Sequence, residues 1–212
     1  MDADAMTHPT ADCAAEGEVG VRDLIRPAVR LLAIVLAVSV GAAGALAATG
    51  IADGLLPLVR PIAALATLVG LSSWDELTAA VTPHWDRTLS PADVPWILLA
   101  NVGVALAPLA AAMLVQAPVG RGRERLFDGL LVVYAARQVW PLIVLLAAYP
   151  AEMTARVAAY LPLEFAGFSL AGAAYLAGRD GRRVNLPRTL AVCVAVLLAA
   201  AVVEVATAGR LG

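Results

Sequence analysis

Four stretches of this chain run for close to twenty residues almost without charge, and that decides the solvent it must fold in. Leu31 to Ala52 has no ionisable residue. Pro95 to Val119 is broken by Asn101, Pro108 and Gln116, while Leu161 to Gly178 and Thr189 to Ala208 each hold one acid, Glu164 and Glu204. A fifth stretch, Phe127 to Tyr149, is long enough but carries Asp128 and Arg137. A bilayer core of about 30 Å takes roughly 20 apolar residues to cross as a helix. Lipid offers backbone groups no water, so such runs must be helical. Composition agrees: 61% of residues are hydrophobic and 15% charged, against about 45–50% and about 25% in soluble domains. The expectation is an all-α, polytopic membrane helix bundle, with the lipid bilayer as its main partner.

Arginine sets the number and direction of the spans, because cytoplasmic loops collect it. All the basic residues are arginine, which we read as a bias of the source genome. With five spans (31–52, 95–119, 127–149, 161–178 and 189–208), the inside segments carry Arg22, Arg26 and Arg30, then Arg121, Arg123 and Arg125, then Arg179, Arg182, Arg183 and Arg188. The outside segments, 53–94 and 150–160, are acidic or mixed. A sixth apolar run, Leu55 to Leu71, holds Arg60 and is cut by Pro57 and Pro61. Counting it as a span would move the arginine-rich loops outside. The chain is therefore expected in the cytoplasmic membrane, N-terminus inside and C-terminus outside. Residues 1–30 are expected to be a disordered cytoplasmic tail, and 31–212 the five-span membrane domain. An alternative start is a cleaved signal, since Ala45-Leu46-Ala47 fits a small-residue cleavage pattern.

The outer loop, 53–94, carries helix signals. Ser73-Trp74-Asp75-Glu76 is a capping box that predicts a short helix. Ser90-Pro91-Ala92-Asp93 places proline at a first helical position and an acid in the first turn, which opens the second span. With Leu55–Leu71 this region reads as helices lying at the outer interface. Trp74, Trp85 and Trp96 suit headgroup level.

Polar side chains at membrane depth are costly, so each is a candidate for function. Asn101 lies about two turns into a helix entering from outside, and Glu164 and Glu204 about one turn from the outer ends of their spans. Arg137 falls near mid-membrane, with a side chain long enough to reach outward. These four could share one layer in the outer half of the bilayer. In one reading Arg137 pairs with the acids and holds the bundle in register. In others the layer is a ligand or partner site, or a protonatable one. Asp128 and Gln116 lie near the inner ends and need no special role. Small residues (Gly41, Gly44, Ala45 and Ala48 in span one; Ala191, Ala195 and Ala199 in span five) favour close helix approach, within the chain before between copies. Pro108 and Pro141 are expected to kink spans two and three.

Several chemistries lack their residues. The net charge of −2 gives no broad basic surface for nucleic acid. Cys13 sits in the polar tail and Cys193 in an apolar run, so no disulfide framework is expected. His8 and His84 both fall outside the apolar runs, leaving no imidazole for a buried metal. Gly167-Phe168-Ser169 has the look of an intramembrane protease serine loop, but no span supplies a histidine base. There is no HExxH pair, Walker lysine or GxGxxG after a strand. No catalytic residue, cofactor or metal is expected, and the chain is expected not to be an enzyme.

From about residue 95 to 208 the order of motifs resembles the stage II sporulation protein M family. Ala159-Tyr160-Leu161-Pro162-Leu163-Glu164-Phe165, followed by Ala171-Gly172-Ala173, is similar to that family's Pro-His-Gly-x-x-Glu and small-residue run. Glu164 is kept, while Tyr160 and Leu161 stand where His and Gly would be. Ala200-Ala201-Val202-Val203-Glu204 resembles the closing span, and Asn101-Val102-Gly103-Val104-Ala105 the start of the second. Asp128-Gly129 stands where Asn-Gly is common. The resemblance implies five spans and marks Asn101, Glu164 and Glu204. It also implies either a membrane scaffold for cell-wall remodelling enzymes or a helper in bacteriocin export or immunity. Other membrane or cell-envelope proteins are then the expected partners.

Overall fold

The structure, a computed structural model, describes residues 18–55, 89–117, 122–148 and 150–208. Its described residues form helices, which we number α1 (Val21–Thr49), α2 (Ala52–Leu55), α3 (Val94–Gln116), α4 (Glu124–Ala148), α5 (Pro150–Val157), α6 (Leu161–Arg179) and α7 (Leu186–Ala208). No strand occurs among them; the one extended pairing is an isolated parallel bridge between Val19 and Val184. Four helical segments, α1, the stretch from Pro91 through α3, α4 and most of α7, are long and apolar enough to cross a membrane. Their outward faces carry Val38, Val40, Trp96, Val132 and Val133, each more than half exposed. Such surface demands lipid. The chain is a multi-pass membrane protein.

Helix boundaries follow local chemistry. The carboxylate of Asp93 accepts the Ser90 backbone N–H at 2.8 Å and the Ser90 hydroxyl at 3.0 Å, and a 3₁₀ turn, Pro91–Asp93, leads into α3 as its sequence predicts. Asn185 caps α7 by accepting the Arg188 N–H at 3.0 Å, so α7 begins three residues before Thr189. Gly50, at φ 68°, ends α1 in the left-handed conformation that glycine adopts at no steric cost. The Ser73–Glu76 capping box, Trp74, Trp85, His8, His84 and the Leu55–Leu71 run beyond Leu55 lie outside the described residues, as does any test of the cleavage site's use.

The expected disordered tail is corrected from Val19 onward. α1 starts at Val21, ten residues before the expected span, and residues 21–30 are helical. Leu24 and Ala28 are buried, while Arg22, Arg26 and Arg30 share the exposed face at i, i+4 and i+8. A helix amphipathic in this sense extends the apolar run below the membrane surface. Ahead of it, the Val19 N–H donates to Arg183 O at 2.7 Å, tying the residues just before α1 to the α6–α7 turn. Gln116 reaches the same turn: its Oε1 accepts the Val184 N–H at 3.1 Å.

α6 is the bundle's centre, packed by α1, α3 and α7, while α4 packs mainly on α1. Its buried Gly167, Ala171, Ala174 and Gly178 present a small-residue face at helical spacing. Leu197 of α7 fills the notch at Gly167, where an added Cβ would lie 2.8 Å from Leu197 Cδ2. At Gly178 an added Cβ would come within 3.3 Å of the Ala112 carbonyl oxygen on α3. The close approaches therefore come from α6, and the small residues of the first and last spans play no such part. A Cβ added at Gly41 or Gly44 of α1 would meet no neighbouring helix within 4 Å. Ala191, Ala195 and Ala199 of α7 face outward; Cys193, Leu197, Ala200 and Ala201 are the buried set.

Helix directions alternate along the chain. The starts of α3 and α6 meet at Asn101 and Glu164, near the end of α7 at Glu204. The starts of α1 and α4 meet the end of α6 and the α6–α7 turn at the opposite end. That second end gathers Arg22, Arg26, Arg123, Arg125, Arg179, Arg182, Arg183 and Arg188.

Candidate functional site

Three of the four residues expected in one layer do converge. Near the start of α3, Asn101 Nδ2 donates to Glu164 Oε1. Glu204, on the antiparallel α7, is only 5% exposed and lies within electrostatic reach of Glu164. Leu89, Ile97 and Ala201 form an apolar cluster at this end of α3 and α7. Two carboxyl groups and one amide, from three helices, thus share a small polar spot inside an apolar bundle. Such a spot can tie helices together, share a proton, or hold a small cation.

Arg137 is not part of it. The residue is exposed on α4, and among the described residues no ion pair joins it to either acid. α4 packs mainly on α1 and not substantially on α7, which carries Glu204. Replacing Arg137 by alanine is therefore expected to change thermal stability in detergent by less than about 0.5 kcal/mol, as for surface positions without partners. A loss several times larger would restore it to the layer.

A second polar cluster, given no role in the sequence, forms at the arginine-rich end. The Tyr175 hydroxyl donates to Asp128 Oδ1 at 2.8 Å, and Arg179 Nη2 lies 3.1 Å from Asp128 Oδ2. Tyr175 and Arg179 are four residues apart on one face of α6, opposite the first turns of α4. That i, i+4 spacing was the available signal. Above this contact α4 leans away from α6 toward α1, where Ala147 packs with Ala43. The divergence leaves a half-enclosed cavity of about 410 Å³ between α1, α3, α4 and α6. Ser169 of the Gly167-Phe168-Ser169 sequence lines it, with no histidine among the lining residues. No group of His, Cys, Asp and Glu able to hold a metal is found among the described residues.

The chain matches no protein-family model, no curated protein and no solved structure.

Proposed function

We propose that this chain is a non-enzymatic, five-span protein of the cytoplasmic membrane that serves as a scaffold or assembly component. The fifth span in this reading is α6. It lies between helices that are themselves long enough to cross, and runs their way in alternating sense. Arginines gathered at one end favour that end, with the N-terminus, facing the cytoplasm.

One observation carries the scaffold reading: polar side chains, inside the bundle and at its arginine-rich end, are spent on contacts between separate segments of the chain. Asn101 bonds Glu164, Tyr175 and Arg179 bond Asp128, and Gln116 bonds the Val184 backbone. The order Asn101, Glu164, Glu204, with its resemblance to the stage II sporulation protein M family, supports the same reading. Cross-linking in native membranes, then extraction in mild detergent, is expected to recover a stoichiometric membrane or envelope partner. Recovery of the chain alone would overturn it.

A specific feature favours a second reading, transport or export help. Glu164 and Glu204 lie within electrostatic reach of each other inside the bundle, an arrangement suited to carrying a proton or small cation. Substrate flux in liposomes that vanishes with Glu164→Gln would select this reading over the scaffold.

A further inference from the structure

The cavity between α4 and α6 has the dimensions and polarity of a lipid site. Its walls are almost wholly apolar, formed by side chains such as Val35, Pro108, Val132, Ala135 and Phe168 together with the bare backbone at Gly172. The charged groups Asp128 and Arg179 line one end together with Tyr175, while Tyr134, Gln138 and Ser169 are the other polar residues along the lining. Along α4 the lining runs from Asp128 to Val139, about 16 Å at 1.5 Å per residue. That is close to half of a bilayer core of about 30 Å, the depth of one leaflet. Toward the end of this track away from Asp128, Phe165 and Phe168 stand as a tilted ring pair 6.2 Å apart.

Charge at the polar end selects the head group. Arg179 uses one edge on Asp128 and keeps 41% of its side chain exposed, so guanidinium N–H groups remain free to donate. Glu124 and Asp180 stand nearby, but Arg123, Arg125, Arg182 and Arg183 outnumber the acids and are all exposed. A phosphate suits such an end, and a zwitterionic head group gains less from it. We propose that the cavity holds one acyl chain of an anionic phospholipid, with the lipid phosphate on Arg179. The lipid would wedge α4 against the rest of the bundle. This site does not depend on whether the bundle serves as scaffold or transporter.

The test reconstitutes the full chain in nanodiscs of equimolar phosphatidylglycerol and phosphatidylcholine, releases it into mild detergent, and reads retained lipid by native mass spectrometry. Phosphatidylglycerol is expected to be enriched about fivefold: both lipids carry the phosphate, so the preference comes from net head-group charge, at about 1 kcal/mol for a nearby arginine. Arg179→Gln should abolish the enrichment and Arg179→Lys should keep most of it. Ala135→Phe fills the cavity from the loosely packed α4 and should remove the retained lipid, with helix content unchanged by circular dichroism. Equal retention of both lipids, or retention unaffected by Ala135→Phe, would mean belt lipid only and would overturn the site.

Discussion

Replacing Gly167 with leucine is expected to be among the most damaging single changes in the described bundle. A bare Cβ at this position already approaches Leu197 Cδ2 to 2.8 Å and Cγ to 2.9 Å. Leu197 is fully buried and cannot swing away, and the Cys193 carbonyl oxygen waits 3.7 Å behind it. Overpacking of this kind costs about 1–3 kcal/mol, and more where the backbone must shift. A leucine brings three carbons beyond Cβ, so the upper end applies. The measurement is thermal unfolding of the purified chain in mild detergent. Leu197→Ala alone should also destabilise, by about 2–5 kcal/mol, through the cavity it leaves. The double variant should lose less than the sum of the two, because the new leucine occupies that space. Simple additivity would show that α6 and α7 do not meet at this notch.

The second large effect is expected at Asn101, and its sign depends on what is left behind. Asn101→Leu removes the donor facing Glu164 and leaves a carboxyl inside an apolar bundle without its amide. An orphaned buried group costs about 1–3 kcal/mol, although polar contacts between membrane helices average somewhat below that range. Replacing both partners, Asn101→Leu with Glu164→Leu, should recover most of the loss, because nothing polar is stranded. Glu164→Gln should cost little in stability, since a side-chain amide can still accept from Asn101. If both single variants and the double were equally unstable, the site would depend on the acid itself and not on the bond.

How much could be read in advance depended on the kind of signal. Apolar length is a one-dimensional property, so the helices around residues 95–116, 127–148, 161–178 and 189–208 were visible, with Ser90 and Asp93 marking one start. Depth is nearly one-dimensional too, which is why Asn101, Glu164 and Glu204 were brought to one level before any contact was known. Azimuth around a helix axis is not visible in a run of uniform hydropathy. Arg137 is exposed and joins neither acid, and Ala191, Ala195 and Ala199, expected on a packing face, look outward. Residues 21–30 were mistaken for tail because arginine at every fourth position lowers mean hydropathy while leaving Leu24 and Ala28 to pack. The Asp128–Tyr175–Arg179 cluster was missed for a related reason: each member taken singly has an ordinary explanation at a membrane surface.

The short pairing of Val19 with Val184 bears on how the chain is built. During synthesis the first helix leaves the ribosome long before the helix it finally rests on. Its uncharged stretch lets it reside alone among lipids, as two-stage assembly requires. Only when the turn after α6 has been made can Val19 find its mate and fasten the start of α1 to that turn. Docking of the first helix is thus a late event, and a chain released early would leave it unmoored.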